Sequence, residues 1–277
     1  MSTLSVTIIQ SDLFWKDKAA NLKMFEQKIN GIREKTEIIV LPEMFSTGFV
    51  IQPDLLAETM EGDTVQWMKR VAAEKKVIIT GSVIIKETDR EDNTSITRYF
   101  NRLIWMLPND QYGYYDKRHR FAFAGENENY SAGNKRLIAS VKGWKINLLV
   151  CYDLRFPVWS RQTPVDPAEQ STGYEAEYDV LIYVANWPEK RVTAWKTLLQ
   201  ARAIENQCYV IGVNRVGKDG QDIYYNGESM AVSPLGEIIY HKKDSEDVFT
   251  VILEKSQLQN IREQFPFWRD SDGFTIL

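Results

Sequence analysis

The sequence predicts an α/β fold, with strands in the interior and helices outside. Three observations predict it. Short runs such as EIIVLP (37–42) and INLLVC (146–151) are apolar almost throughout, as strands covered on both faces must be. Segments with apolar residues at helical spacing lie between such runs. The two types alternate along the chain, which is the order of an α/β protein.

The elements follow in turn. LSVTIIQ (4–10) reads as a strand, and residues 17–34 as a helix, with Ala20, Leu22, Phe25, Ile29 and Ile32 near helical spacing. EIIVLP (37–42) is a buried strand, 62–75 a helix and VIITGSVII (77–85) a strand. ITRYFNRLIWML (96–107) and QYGYYDK (111–117) flank the turn Pro108-Asn109-Asp110 and predict a hairpin. A polar loop, 118–135, leads on to the strand INLLVC. DVLIYVA (179–185), a helix over 191–206 and CYVIGVN (208–214) repeat the rhythm. YNGESMAVSPLGEIIYHK (225–242) predicts a hairpin turning at Ser233-Pro234-Leu235-Gly236, and VFTVILE (248–254) a last strand. So many strands suit two packed sheets. No linker, low-complexity tract or short repeat interrupts them, so the 277 residues are expected to form one domain, with a core over about 4–255 and a tail over 256–277. The most loop-like insertion is 161–177.

Composition narrows the function classes. Apolar residues make up 44% and charged residues 26%, the balance of an ordinary globular protein. The net charge is −4 without a basic block, so no nucleic-acid partner is expected. The N-terminal residues lack the pattern of a secretory leader, and no run approaches the ~20 apolar residues of a membrane span. No membrane association is expected. Two cysteines, Cys151 and Cys208, form no disulfide framework and fit a reducing cytoplasm. With His119 and His241 they give no metal-ligand spacing, so no metal site is expected.

Chemistry gathers at the C-terminal ends of predicted strands, where α/β sheets bind ligands. Glu43 follows EIIVLP, Lys117 follows QYGYY and Cys151 follows INLLV. If those strands lie side by side, the three side chains can share a pocket. A cysteine at a sharp turn into a helix start would favour its thiolate, although cysteines are also common as small core residues. Cys208, opening CYVIGV, reads as core. Two bases are open to Cys151. One is His119, in DKRHR; His241, beside a KKD run, reads as surface. The other is Glu43, set between Pro42 and Met44-Phe45, where apolar surroundings can lift a carboxyl toward neutrality. Lys117 and the backbone N–H of Tyr152 could hold the oxyanion of a tetrahedral intermediate. Each residue alone also reads as ordinary surface or core.

Three segments in this order and spacing, LPEMFSTGF (41–49), YDKRH (115–119) and CYDLRFP (151–157), resemble the signature segments of the nitrilase superfamily of carbon–nitrogen hydrolases. ANWP (185–188), ARAIENQCYVIGVNRVG (201–217) and GESMAVSPLGEII (227–239) resemble its C-terminal half, so the likeness spans about 4–255. The resemblance implies an αββα sandwich of two packed sheets with outer helices, a homodimer or higher oligomer, no cofactor, and a Glu–Lys–Cys triad carried by Glu43, Lys117 and Cys151. It also implies a supporting glutamate seven residues before a glycine. Glu126 fits relative to Gly133, with Glu128 in reserve.

LPEMFSTGF, KRHRFAFAGENENYSAGN and VANWPEKR look most like the ω-amidase branch, whose members hydrolyse the side-chain amide of 2-oxoglutaramate or 2-oxosuccinamate through a thioester. Such a substrate carries a carboxylate, for which Arg118, Arg120, Arg155 and Arg191 are the candidates. Arg155 could instead pair with Asp153 to fix the turn after the nucleophile. Asn186 and Trp187 either line the pocket or form a turn with a packed indole. Two further readings are an N-carbamoyl amino acid hydrolase or aliphatic nitrilase on the same residues, and an inactive binding protein on this fold.

Overall fold

The computed structural model describes residues 2–91, 94–162, 176–272 and 274–276. The predicted insertion at 161–177 therefore lies largely outside the described residues.

Alternation along the strands sets the layers, because successive strand side chains point to opposite faces. In β1 (Thr3–Gln10), Val6 and Ile8 pack into the core between two sheets, while Ile9 packs against helices. In β2 (Ile38–Val40), Ile38 and Val40 face the second sheet and Ile39 faces the helices. Those helices are α1 (Lys18–Asn30) and α2 (Asp63–Lys75). They bury Phe25, Ile29, Val65, Met68 and Val71 on the outer face of this sheet.

The first sheet is completed by β3 (Ile78–Glu91), β4 (Thr94–Met106), β5 (Tyr112–Asp116) and β13 (Asp247–Glu254), in the order β13-β1-β2-β3-β4-β5. The second contains β6 (Ile138–Val141), β7 (Trp144–Val150), β8 (Val180–Ala185), β9 (Tyr209–Asn214), β10 (Val216–Lys218) and β11 (Tyr224–Val232). Their order is β10-β11-β9-β8-β7-β6, and β12 (Ile238–Lys243) pairs with β11. Here α5 (Val192–Asn206) is the outer layer, with Trp195, Leu199 and Ala203 buried against the sheet. The architecture is the expected αββα sandwich. Among the described residues no helix is long and apolar enough to cross a membrane.

Three features depart from the sequence reading. The short strands β6 and β10 were not predicted. The polar loop 118–135 contains a 3₁₀ turn, Ala122–Ala124, and the one-turn helix α3 (Glu126–Asn129). The segment expected as a tail carries α6 (Lys255–Gln264), pinned where Arg262 donates to Asp179 Oδ1 (3.0 Å) and to the Tyr178 carbonyl (2.8 Å).

Candidate active site

The strands that deliver the candidate residues are not side by side. β3 and β4 separate β2 from β5, and β7 belongs to the other sheet. β2 runs parallel to β3, and two antiparallel steps through β4 return β5 to that direction. Glu43 and Lys117 thus leave their sheet at the same end. Cys151 follows β7 and Asn186 follows the parallel β8 in the second sheet. The residues meet across the gap between the sheets.

At the centre is a buried ion cluster. Lys117 Nζ lies 2.9 Å from Glu43 Oε1, and 3.1 and 2.9 Å from the two carboxylate oxygens of Glu126. All three side chains are at most 1% exposed. Glu126 is aimed inward by Gly125, whose φ of +81° turns the chain from the 3₁₀ turn into α3. Its Oε2 also accepts from the Phe121 N–H (2.5 Å). Glu128 is exposed and is not in the cluster. Gly133 lets the returning chain pass close behind Lys117: a Cβ there would lie 2.0 Å from the Asp116 carbonyl oxygen.

Two asparagines hold the carboxylates from other directions. Asn101, buried on β4, donates Nδ2 to Glu43 Oε1 (2.7 Å) and Glu126 Oε1 (3.3 Å), and its carbonyl accepts from the Lys117 N–H (3.0 Å). Asn186 donates its backbone N–H to Glu43 Oε2 (2.8 Å) and its side-chain amide to the Glu43 carbonyl (2.5 Å). Asn214, at the end of β9, fixes the next residue by accepting from the Trp187 N–H (2.8 Å) and donating to its carbonyl (2.9 Å).

Cys151 sits at the sharp turn expected of it, with φ +43°, but it opens a five-residue 3₁₀ turn, Cys151–Arg155, and the one-turn helix α4 (Pro157–Ser160) begins only after it. The expected bias toward thiolate is absent. Burial pushes the thiol well up, the charges of Glu43 and Glu126 push it further, and Lys117 pulls only partly back. Burial would depress the Lys117 ammonium, but Glu126, Glu43 and Cys151 together hold it well above the ordinary lysine range. Burial also lifts the Glu126 carboxyl, against the attraction of Lys117.

The turn after Cys151 is secured by Asp153, not by an Asp153–Arg155 pair. Asp153 Oδ2 accepts from the Val150 N–H (3.0 Å) and the Tyr115 hydroxyl (2.8 Å). Its Oδ1 meets the His119 N–H (3.0 Å) and ring Nδ1 (2.8 Å). His119 therefore serves Asp153 and stacks on Phe156 at 3.9 Å, which disfavours it as the thiol's base. His241 is part-exposed and paired with Glu228. Cys208 is fully buried in the core.

A cavity of about 260 Å³ opens on this cluster, lined by Lys117, Cys151, Tyr152, Arg155, Asn186, Trp187 and Arg191 among others. Asn186 and Trp187 are thus both wall and packed turn: the indole is buried and tilted against Trp195 at 5.5 Å. The structure also sorts the arginines. Arg118 lies over the Trp159 ring (4.3 Å) and Arg120 donates to the Tyr130 carbonyl (3.0 Å), so neither lines the cavity. Arg155 over Trp187 (5.1 Å) and Arg191 over Phe121 (4.9 Å) both do. Neither guanidinium has a carboxylate partner among the described residues. Asp219 also lines the wall, with its oxygens occupied by the Gln221 and Ile223 N–H groups and the Tyr225 hydroxyl.

Chemically, the cluster offers a neutral thiol, a carboxylate able to take its proton and an ammonium able to face a developing oxyanion. Among the described residues no group of His, Cys, Asp or Glu is arranged to hold a metal. Asn101 and Asn214 were missed by the sequence reading. The available signal for Asn101 was a lone amide where the exposed first half of β4 gives way to its buried second half.

Comparison with known proteins places the chain in a family. The carbon-nitrogen hydrolase family model matches residues 5–263. The chain is 41% identical to omega-amidase YafV of Escherichia coli K12, over all of both chains. It is 29% identical to the 2-oxoglutaramate amidase of Bacillus subtilis, over 96% of each. The crystal structure of XC1258 from Xanthomonas campestris, a CN-hydrolase superfamily protein with an arsenic adduct in its active site, superposes with a TM-score of 0.89 at 38% identity, covering both chains completely. The chain belongs to the carbon-nitrogen hydrolase family.

Proposed function

We propose that the protein is an amidase of the ω-amidase type, hydrolysing the distal amide of 2-oxoglutaramate or 2-oxosuccinamate to the 2-oxo dicarboxylate and ammonia. One observation carries the reading. Lys117 and Cys151 line a single cavity, with Glu43 buried behind it on Lys117, and the same cavity presents two guanidiniums without carboxylate partners among the described residues. An amide with a carboxylate at its other end matches that arrangement of charge. The names of the full-length relatives support the same substrate class.

In this mechanism Cys151 Sγ attacks the amide carbon, a C–S bond forms, and the thiol proton passes to Glu43. Lys117 and the Tyr152 backbone N–H face the oxyanion, a contribution of about 3 kcal/mol per donor. The tetrahedral species collapses as the C–N bond breaks, and Glu43 returns its proton to the leaving nitrogen. Water, deprotonated by Glu43, then attacks the thioester. The acid leaves, and the thiolate recovers its proton from Glu43. Glu126 holds Lys117 in place, and Arg155 with Arg191 receives the substrate carboxylate.

The chain is further read as one domain, acting in the cytoplasm as a homodimer or higher oligomer. The deciding assay is ammonia release from 2-oxoglutaramate, a neutral aliphatic amide and an N-carbamoyl amino acid. Preference for 2-oxoglutaramate is expected. Preference for the carbamoyl compound would replace the ω-amidase reading.

A further inference from the structure

We infer that Asn101 is a positioning residue that divides labour between the two oxygens of Glu43, reserving Oε2 for proton transfer. The inference rests on the proposed role of Glu43 as base, but not on the identity of the substrate.

Glu43 Oε1 accepts from both Lys117 Nζ (2.9 Å) and Asn101 Nδ2 (2.7 Å). Glu43 Oε2 accepts from the Asn186 backbone N–H (2.8 Å). Two donors thus occupy one oxygen in place, and the other has only one. A carboxylic acid carries its proton on one oxygen, which then has room for one fewer accepted hydrogen bond. A proton arriving on Oε2 leaves both Oε1 bonds intact, while a proton on Oε1 would displace a donor. Asn101 thereby fixes the protonation site without touching substrate.

The amide orientation is set by its surroundings. Nδ2 faces Oε1 of Glu43 and, at 3.3 Å, Oε1 of Glu126. Exchanging Nδ2 and Oδ1 would put an acceptor against two carboxylate oxygens, which is unfavourable. The amide also stands between two buried carboxylates that would otherwise be served in common by Lys117 alone. The titratable groups facing Glu43 are Lys117 from the end of β5, Glu126 from α3, Cys151 after β7, and the phenols of Tyr130 and Tyr225.

The test is Asn101→Leu and Asn101→Ser, with folding checked by circular dichroism, so that failure of the bulkier variant leaves the other. Removing an N–H donor from an ionised carboxylate favours its protonation. The acid limb of kcat against pH should therefore move up by about one unit, the worth of one such hydrogen bond. The alkaline limb and KM should stay near wild type, and kcat should fall about tenfold to a hundredfold. The rate of Cys151 alkylation by iodoacetamide should show the same upward acid shift, without any substrate. A folded variant whose acid limb is unmoved in both assays overturns the inference. An inactive wild type with an alkylation profile that still shifts would instead count against the ω-amidase reading alone.

Discussion

The ammonium of Lys117 stands 2.9 Å from Oε1 of Glu43, and neither side chain reaches solvent. Removing one member of a buried pair strands the other, at a typical cost of roughly 3–5 kcal/mol. Lys117→Met should therefore lose both turnover and thermal stability. Because the folded-state ammonium is held above its ordinary range, the stability it contributes is fully present below the usual lysine pKa. It is lost only as pH rises through the elevated value. Thermal melts of both proteins across pH should show the wild-type advantage undiminished through neutrality and shrinking in strong alkali. An advantage that already vanishes near neutral pH would contradict the assignment.

Cys151→Ala removes the proposed nucleophile from a cavity wall without emptying the core. Turnover should disappear, while the melting midpoint stays close to wild type. Wild-type protein quenched in acid during turnover should carry the acyl mass on the Cys151 peptide. Appreciable hydrolysis by the alanine variant would point to another nucleophile.

Glu43→Gln tests the electrostatics of the thiol directly. Burial and the Glu43 charge both raise the Cys151 thiol, while Lys117 opposes them. Neutralising Glu43 leaves Lys117 nearer to dominance, so the thiol should titrate at lower pH than in wild type. Ultraviolet thiolate absorbance during a pH titration reads this out. The same variant should bind substrate and acylate slowly for want of a base. An unchanged or higher titration point would refute the field described for the site.

Arg155→Leu and Arg191→Leu should each raise KM for a carboxylate-bearing amide by about tenfold to a hundredfold, as expected for losing a charge-assisted hydrogen bond. A neutral aliphatic amide of similar length should be little affected. Equal losses on both substrates would mean that the arginines shape the wall and do not read charge.

Gly133→Ala would set a methyl group 2.0 Å from the Asp116 carbonyl oxygen if the backbone did not move. Backbone must give way, and it gives way one residue from Lys117. Both melting midpoint and kcat should drop, with the loss of kcat exceeding that of a surface Gly→Ala control. Wild-type behaviour would show that this loop can yield without moving the lysine.

Much of this was legible in the sequence because apolar runs declare buried strands, and because Glu43, Lys117 and Cys151 each end such a run. Other parts were not. β6 (Ile138–Val141) and β10 (Val216–Lys218) are short edge pieces with mixed burial, so their pattern carries little signal. Asp153 follows the proposed nucleophile by two residues, which made Arg155 its apparent neighbour. Its real partners are Tyr115, on β5 of the other sheet, and His119, in the loop after it, and no local pattern reveals a contact across so many residues. Asn101 was overlooked for the same reason: what gives the amide meaning is the pair of carboxylates brought to it by other elements.

Base and ammonium hang from one sheet, sulfur and Asn186 from the other, so the reacting group exists only while the two slabs keep their mutual alignment. A slip of an ångström along that seam would leave every strand hydrogen-bonded and every helix wound, yet would pull the proton donor from its acceptor. In mild denaturant, hydrolysis should therefore fade before far-ultraviolet ellipticity does, making the reaction rate a gauge of inter-sheet registration.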